Sequence, residues 1–174
     1  MRAVRRGELA ALDTLFARHH RRLYGFLVRL TGDRDAADDL VQDVFLRLLR
    51  FKESFRDDGQ FVPWLFRIAR NLAADRYRDS RATMSLDQHE AGTDGDAAAL
   101  DSLIATENHQ QLERALAALP VTHREVLLLR GVEQLSHREL AIALRCSEGA
   151  ARVRVHRALA ALKREWHATA GESQ

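Results

Sequence analysis

Two serines eleven positions apart, Ser136 and Ser147, restrict this chain more than any other feature. In "SHRE" at 136–139 the hydroxyl is placed to accept the amide three residues on while the glutamate reaches back, a reciprocal cap that starts a helix. Ser147 is a second N-cap. The first helix therefore has room only for 137–145, the chain must turn at Arg145 and Cys146, and a longer helix runs from 148 to about 166. Two helices joined by so short a turn, with Ala141 where the backbones cross, form a helix-turn-helix. Its second helix lies in the major groove of duplex DNA. "THRE" at 122–125 fits the same capping box, and Gly131 suits a left-handed helix end, so a preceding helix is expected over 122–130.

The faces of the second helix separate cleanly at ~100° per residue. Ala151, Val155, Ala158, Leu159, Leu162 and Trp166 form the expected core side. Opposite them stand Gly149, Val153, His156, Arg157, Ala160 and Arg164, flanked by Arg152 and Arg154. Small residues after Ser147 let the helix end approach base edges, and its dipole favours phosphate. Arginine pairs with guanine or phosphate, and Val153 suits a thymine methyl. The cap, the turn, the close crossing and the basic face coincide, which favours DNA contact over a merely solvated surface.

The composition, 46% hydrophobic and 30% charged over 174 residues, is that of a folded chain. No apolar run approaches the ~20 residues of a membrane helix, and the amphipathic start lacks the pattern of a secretory signal, so a cytoplasmic protein without membrane insertion is expected. The single cysteine, Cys146, excludes an internal disulfide and a cysteine-based zinc cluster, and it fits a small filler at the turn. No cofactor or metal is expected. The formal net charge of +2 conceals a division: residues 82–113 hold seven carboxylates and no Lys or Arg. Within that stretch "TMSLDQHEAGTDGDAAA" has no apolar periodicity and reads as a linker. A helix follows and is stopped at Leu119 by Pro120. The expected fold is all-α, two small helical domains (1–81 and 107–170) joined by a flexible acidic linker (82–106), the second being the helix-turn-helix.

Three helices are expected in the first domain, at about 8–30, 35–51 and 63–79. In the second, Ala37, Leu40, Val41, Val44, Phe45, Leu48 and Leu49 make a buried stripe, leaving Asp39, Gln42, Asp43, Leu46 and Arg50 to solvent. A leucine within a polar stripe fits either a partner's surface or an ordinary exposed position. The third opens with Pro63 in its first turn and turns Leu65, Ile68 and Leu72 inward. Its outer stripe runs Arg67, Arg70, Asn71, Ala74, Arg78 and Arg81. Trp64 belongs to the core; Phe61 fits both a core position and one that stacks an unpaired base.

"DDLVQDVFLRLLR", "FVPWLFRIARNLAADRYR" and "LPVTHREVLLLRGVEQLSHRELAIALRCSEGAARVRVHRALAALK" together resemble the signatures of extracytoplasmic-function sigma factors, promoter-specificity subunits of bacterial RNA polymerase. The resemblance covers nearly all of the chain outside the linker and tail. It implies a non-catalytic protein that directs promoter-specific transcription initiation. It implies docking of Asp39, Gln42, Asp43 and Leu46 on the clamp helices of the polymerase's largest subunit, with the flap as a further polymerase contact. Phe61, Arg67, Arg70, Asn71, Ala74 and Arg78 would read and open the minus-ten element. Ser147, Gly149, Ala150, Arg152, Val153, Arg154, His156 and Arg157 would read the minus-thirty-five element. An anti-sigma partner is implied as well. The chain departs from the family pattern at Arg145, Ala150, Ala151 and Val153, so the turn is expected to differ locally and the upstream sequence preference to be the chain's own.

Two other classes are weaker. A conventional helix-turn-helix regulator leaves the second basic stripe and Leu46 unexplained. A metal hydrolase using His19, His20 and the aspartates at 33, 35, 38 and 39 fails because adjacent histidines point ~100° apart on a helix, and because Asp35 and Asp38 suit a helix start.

Overall fold

The computed structural model describes residues 1–55, 60–83 and 100–171. Within them the chain is helical, with no strand. A short helix α1 (Arg2–Arg5) leads into α2 (Leu9–Thr31), α3 (Arg34–Arg50), a 3-10 turn at Lys52–Ser54 and α4 (Phe61–Thr83). The second half holds α5 (Leu100–Ala118), α6 (Val121–Leu127), a π turn at Leu128–Val132, α7 (His137–Leu144) and α8 (Glu148–Gly171). The acidic stretch 84–99, most of the expected linker, lies outside the described residues, and 100–106 already belong to α5.

The helix boundaries have local causes. Gly32 ends α2 in the left-handed conformation (φ 76°), where the absent Cβ removes the steric cost. The next residue, Asp33, caps α3 by accepting the Ala36 amide at 2.9 Å. The aspartates at 33 and 35 thus serve the start of a helix, and among the described residues no group of His, Cys, Asp and Glu is arranged to hold a metal. Helices α2, α3 and α4 pack together around Leu23, Phe26, Leu40, Val44, Leu48, Leu65 and Phe66, each at most 2% exposed. Phe26 and Phe66 meet edge to face at 5.1 Å, the favoured geometry for two ring quadrupoles. Trp64 is core, as expected, and tilts against Phe55.

In the second half α5, α6 and α7 all pack on α8, whose buried side is small: Ala151, Val155, Ala158 and Ala161. Small residues let three helices approach one axis closely. Leu159, expected in this core, is 53% exposed, and Ala161 takes the buried place instead. The capping box expected at 122–125 does not form. Pro120, in an extended conformation, lets the helix begin at Val121, and the buried Glu125 turns away from the helix start toward Arg70. Nor does Gly131 end the helix in a left-handed conformation; the chain continues through the π turn and reverses at Gln134 (φ 56°). Arg124 donates to the carbonyls of Leu116, Ala117 and Leu119 at the end of α5 and to Leu30 at the end of α2, so one cation meets two helix C-termini.

The two halves are packed against each other. Helix α7 lies on α4, α6 and the π turn lie on α2, and a single apolar cluster includes residues of both halves. Ion pairs cross the seam at Arg22–Glu133 (2.9 Å), Arg29–Glu113 (2.9 Å) and Arg70–Glu125.

Candidate nucleic-acid and polymerase-binding surfaces

The helix-turn-helix forms from the two serine caps. Glu139 accepts the Ser136 amide at 2.8 Å, and its own amide donates to the Ser136 hydroxyl at 3.2 Å, completing the reciprocal box. Helix α7 stops at Arg145, which adopts the left-handed conformation (φ 51°, ψ 50°) despite its side chain, a cost of ~1–2 kcal/mol. The Cys146 amide then donates to the Ala141 carbonyl at 3.0 Å and closes the turn, so the tight turn is kept without a glycine. Ser147 accepts the Ala150 amide at 3.1 Å and launches α8.

Of the α8 residues expected to read DNA, Gly149, Arg152, Val153, Arg154, His156 and Arg157 are exposed, as is the cap Ser147, and Ala150 is half-buried. Arg152 is held by Glu148 one turn earlier at 2.6 Å. Arg154, His156 and Arg157 have no ion-pair partner among the described residues. A Cβ on Gly149 would meet nothing within 4 Å, so the protein's own packing does not require glycine there. The helix surface there is open to close approach from outside.

Helix α4 presents its basic stripe differently. Asn71, Ala74 and Arg78 are exposed, with Arg78 paired to Asp75 on the same helix. Arg70 and Arg67 are half-buried at the seam. Arg70 holds Glu125 and also donates to the Asn71 side chain at 3.2 Å. Burial, reinforced by the nearby Arg145, lowers the pKa of Arg67 below its ordinary value. Phe61 is half-buried, its ring 5.2 Å from that of His19 and 6.3 Å from Trp64, which makes it the outer member of an aromatic cluster. His19 is itself buried, and desolvation, with Arg22 and Arg18 adding like charge, lowers its pKa from 6.5.

On α3, Asp39, Gln42, Asp43 and Leu46 are all exposed, Leu46 at 64%. Their three- and four-residue spacing makes them one face. Asp39 is paired with Arg76 of α4 at 3.2 Å. The face continues onto α2, where sequence reasoning weighed only His19 and His20, and those as metal ligands. A cavity of about 270 Å³ is lined there by Phe16, His20, Tyr24, Val41 and Gln42. Phe16 stacks on His20 at 5.0 Å and is 42% exposed. The signal was the four-residue spacing of Phe16, His20 and Tyr24, which reads as an ordinary buried stripe until α3 is seen to leave one edge open. Among the described residues no helix is long and apolar enough to cross a membrane.

Residues 15–83 match sigma-70 region 2, and residues 109–162 match sigma-70 region 4. The chain is 37% identical over 158 residues to RNA polymerase sigma factor CarQ of Myxococcus xanthus, covering 90% of each protein. It is 27% identical to the ECF RNA polymerase sigma factor SigW of Bacillus subtilis over 95% of this chain and 94% of that one. The chain belongs to the extracytoplasmic-function (ECF) sigma-70 family. This sigma factor therefore serves promoter-recognising transcription initiation by RNA polymerase. Its fold is similar to that of sigma factor RpoE solved in complex with the anti-sigma factor NepR from Bartonella quintana. That likeness has a TM-score of 0.71 at 25% identity and covers 88% of this chain and 94% of that one. It is also similar to CnrH solved in complex with the cytosolic domain of CnrY, with a TM-score of 0.69 at 28% identity, covering 93% of this chain and 91% of that one. Region 2 spans α2 to α4, so it carries both the α3 face and the α4 stripe, and region 4 carries the helix-turn-helix.

Proposed function

We propose a division of labour within this sigma factor, from 1–81 as the region 2 domain to 107–170 as the region 4 domain. The exposed N-terminal part of α8, from Ser147 to Arg157, enters the major groove of the minus-thirty-five element. Arg154 and Arg157 pair with bases or phosphates there, and Val153 meets an apolar base edge. The α4 stripe, with Arg67, Arg70, Asn71, Ala74 and Arg78, grips the minus-ten element, and Phe61 stacks on a base of the opened strand. The α3 face of Asp39, Gln42, Asp43 and Leu46 docks on the clamp helices of core polymerase, while region 4 meets the flap. Neither DNA contact suffices alone; polymerase fixes their spacing and makes the second contact effectively intramolecular. The protein performs no chemical step, acts in the cytoplasm and is held by an anti-sigma partner, as the complexes of its structural neighbours suggest.

The observation that carries this reading is the exposed basic face of α8, on which Arg154 and Arg157 have no ion-pair partner among the described residues, delivered by a doubly capped helix-turn-helix. Run-off transcription on a genomic library with purified core polymerase tests it: start sites are expected that depend on this protein, and their absence overturns the assignment. Leu46→Glu, at an exposed position, is expected to abolish co-purification with core polymerase while leaving the helical content unchanged. Unaltered binding rules out the α3 face as the dock.

A further inference from the structure

Burial sets two arginines apart. Arg67 of α4 and Arg124 of α6 are both half-buried, and in each desolvation is the main cause that lowers the pKa below its ordinary value. Arg124 is compensated by the carbonyls of Leu116, Ala117, Leu119 and Leu30, to which its guanidinium donates. Arg29 and Arg70, also half-buried, hold Glu113 and Glu125. Arg67 has no hydrogen bond or ion pair to its side chain among the described residues. What approaches it instead is Arg145, at the end of α7, where that helix packs on α4.

Arg145 is unusual in its backbone as well. It holds the left-handed conformation (φ 51°), which costs a residue with a Cβ and which glycine adopts freely. Its guanidinium, too, has no hydrogen bond or ion pair among the described residues. A strained backbone and a like-charge contact thus coincide at one spot, and strain of that kind clusters at ligand sites. Carboxylates of the surrounding helices are committed elsewhere: Glu125 to Arg70, Asp75 to Arg47 and Arg78, Glu139 to Ser136 and Glu148 to Arg152. A cation half removed from water without a counter-ion is costly, so the pair lacks an anion. One carboxylate would neutralise only one of the two guanidinium groups. A tetrahedral phosphate carries more charge and more acceptor oxygens, and can be gripped by two forks reaching it from different elements.

We infer that Arg67 and Arg145 form a two-armed site for a small free phosphoanion, one arm from α4 and the other from the turn of the helix-turn-helix. The site does not depend on the reading of α4 as the minus-ten helix, because the anion is held by the free protein.

The full chain is titrated with sodium pyrophosphate, followed by thermal melting and calorimetry, against sodium chloride and sodium acetate at equal ionic strength. Saturable binding is expected, with a melting midpoint that climbs with pyrophosphate concentration. An equal rise with chloride or acetate overturns the site. Arg67→Gln is expected to weaken pyrophosphate binding about tenfold to a hundredfold, through loss of charge-assisted hydrogen bonds. Arg145→Gly removes the second arm and the backbone strain together. Without anion it should melt higher than the unaltered chain, and pyrophosphate should raise it little further. The higher starting midpoint reports an intact fold. Retained affinity in either variant overturns the two-armed site. Arg164→Gln, exposed on α8 and outside the proposed sites, is expected to bind like the unaltered chain. A loss there as large as that of Arg67→Gln marks diffuse attraction to a basic surface and overturns the proposal.

Discussion

Helices α4 and α8 are of nearly equal length and both carry arginines along one side, yet among the described residues α8 ties down only Arg152, through its own Glu148, whereas α4 has most of its arginines paired, two of them to other elements. On α8 the charges at 154 and 157 stand in solvent with no ion-pair partner among the described residues. On α4, Arg70 is taken by Glu125, Arg76 by Asp39 and Arg78 by Asp75. The difference follows from what each helix packs against. The inner face of α8 is apolar and its partners α5, α6 and α7 stay behind it, whereas α4 is flanked on one side by the acidic face of α3 and on the other by region 4. A basic stripe is therefore open to an outside anion without rearrangement only where the neighbouring elements supply no counter-charge.

The contrast can be broken most severely at Leu140 in α7, the helix that touches both α4 and α8. Leu140→Ala, at a fully buried site, is expected to cost ~2–5 kcal/mol in urea unfolding. If the loss falls below that range, α7 does not bear on both helices. Arg157→Ala should weaken promoter-complex formation by ~1–3 kcal/mol, with a dependence on the upstream sequence that marks a base contact. An equal loss on every sequence assigns Arg157 to phosphate. Arg70→Ala should match that loss, ~1–3 kcal/mol, in the complete polymerase complex, and should leave DNA binding by the free protein almost unchanged because Glu125 already holds the side chain. A free protein as sensitive as the complex would make the two helices equivalent after all.

A smaller contrast separates the two capping sequences. Ser136→Ala should cost ~1 kcal/mol of stability, whereas Thr122→Ala, whose hydroxyl caps nothing, should change it by less than ~0.5 kcal/mol. The smallest effect concerns pH. The pKa of buried His19 is lowered, so the folded state binds fewer protons than the unfolded chain below pH 6.5, and stability is lost as pH falls through that window toward the folded pKa. The thermal midpoint is expected to drop on acidification below pH 6.5, and His19→Gln should flatten the drop. A profile that keeps its slope in the variant assigns it to other groups.

These outcomes bear on what a sequence discloses. The cap at Ser136, the turn at Arg145 and the buried stripe of α3 were legible because each is decided by residues within one or two helical turns of one another. The sequence "THRE" satisfied the same local rule and failed, because Glu125 is drawn to Arg70, a partner 55 residues away. Leu159 failed for a related reason. The angular wheel ranks faces but does not say how far each neighbouring helix extends, and the partners of α8 close over Ala161 instead. The seam lies wholly in this unreadable class. Its ion pairs join positions 55 to 111 residues apart, and no periodicity links them. The exposed faces of α3 and α8, by contrast, needed only their own helix to be recognised.

The apolar cluster that runs without a break through both halves carries one more consequence. Parting the halves wets oily surface, so opening raises the heat capacity, and the contribution of that surface to closure fades on cooling. The charged contacts move the same way, since the cost of stripping water from ions falls as temperature rises. The contact between the halves is therefore expected to be loosest in the cold, and hydrogen exchange of the α4 and α7 amides at two temperatures would read it.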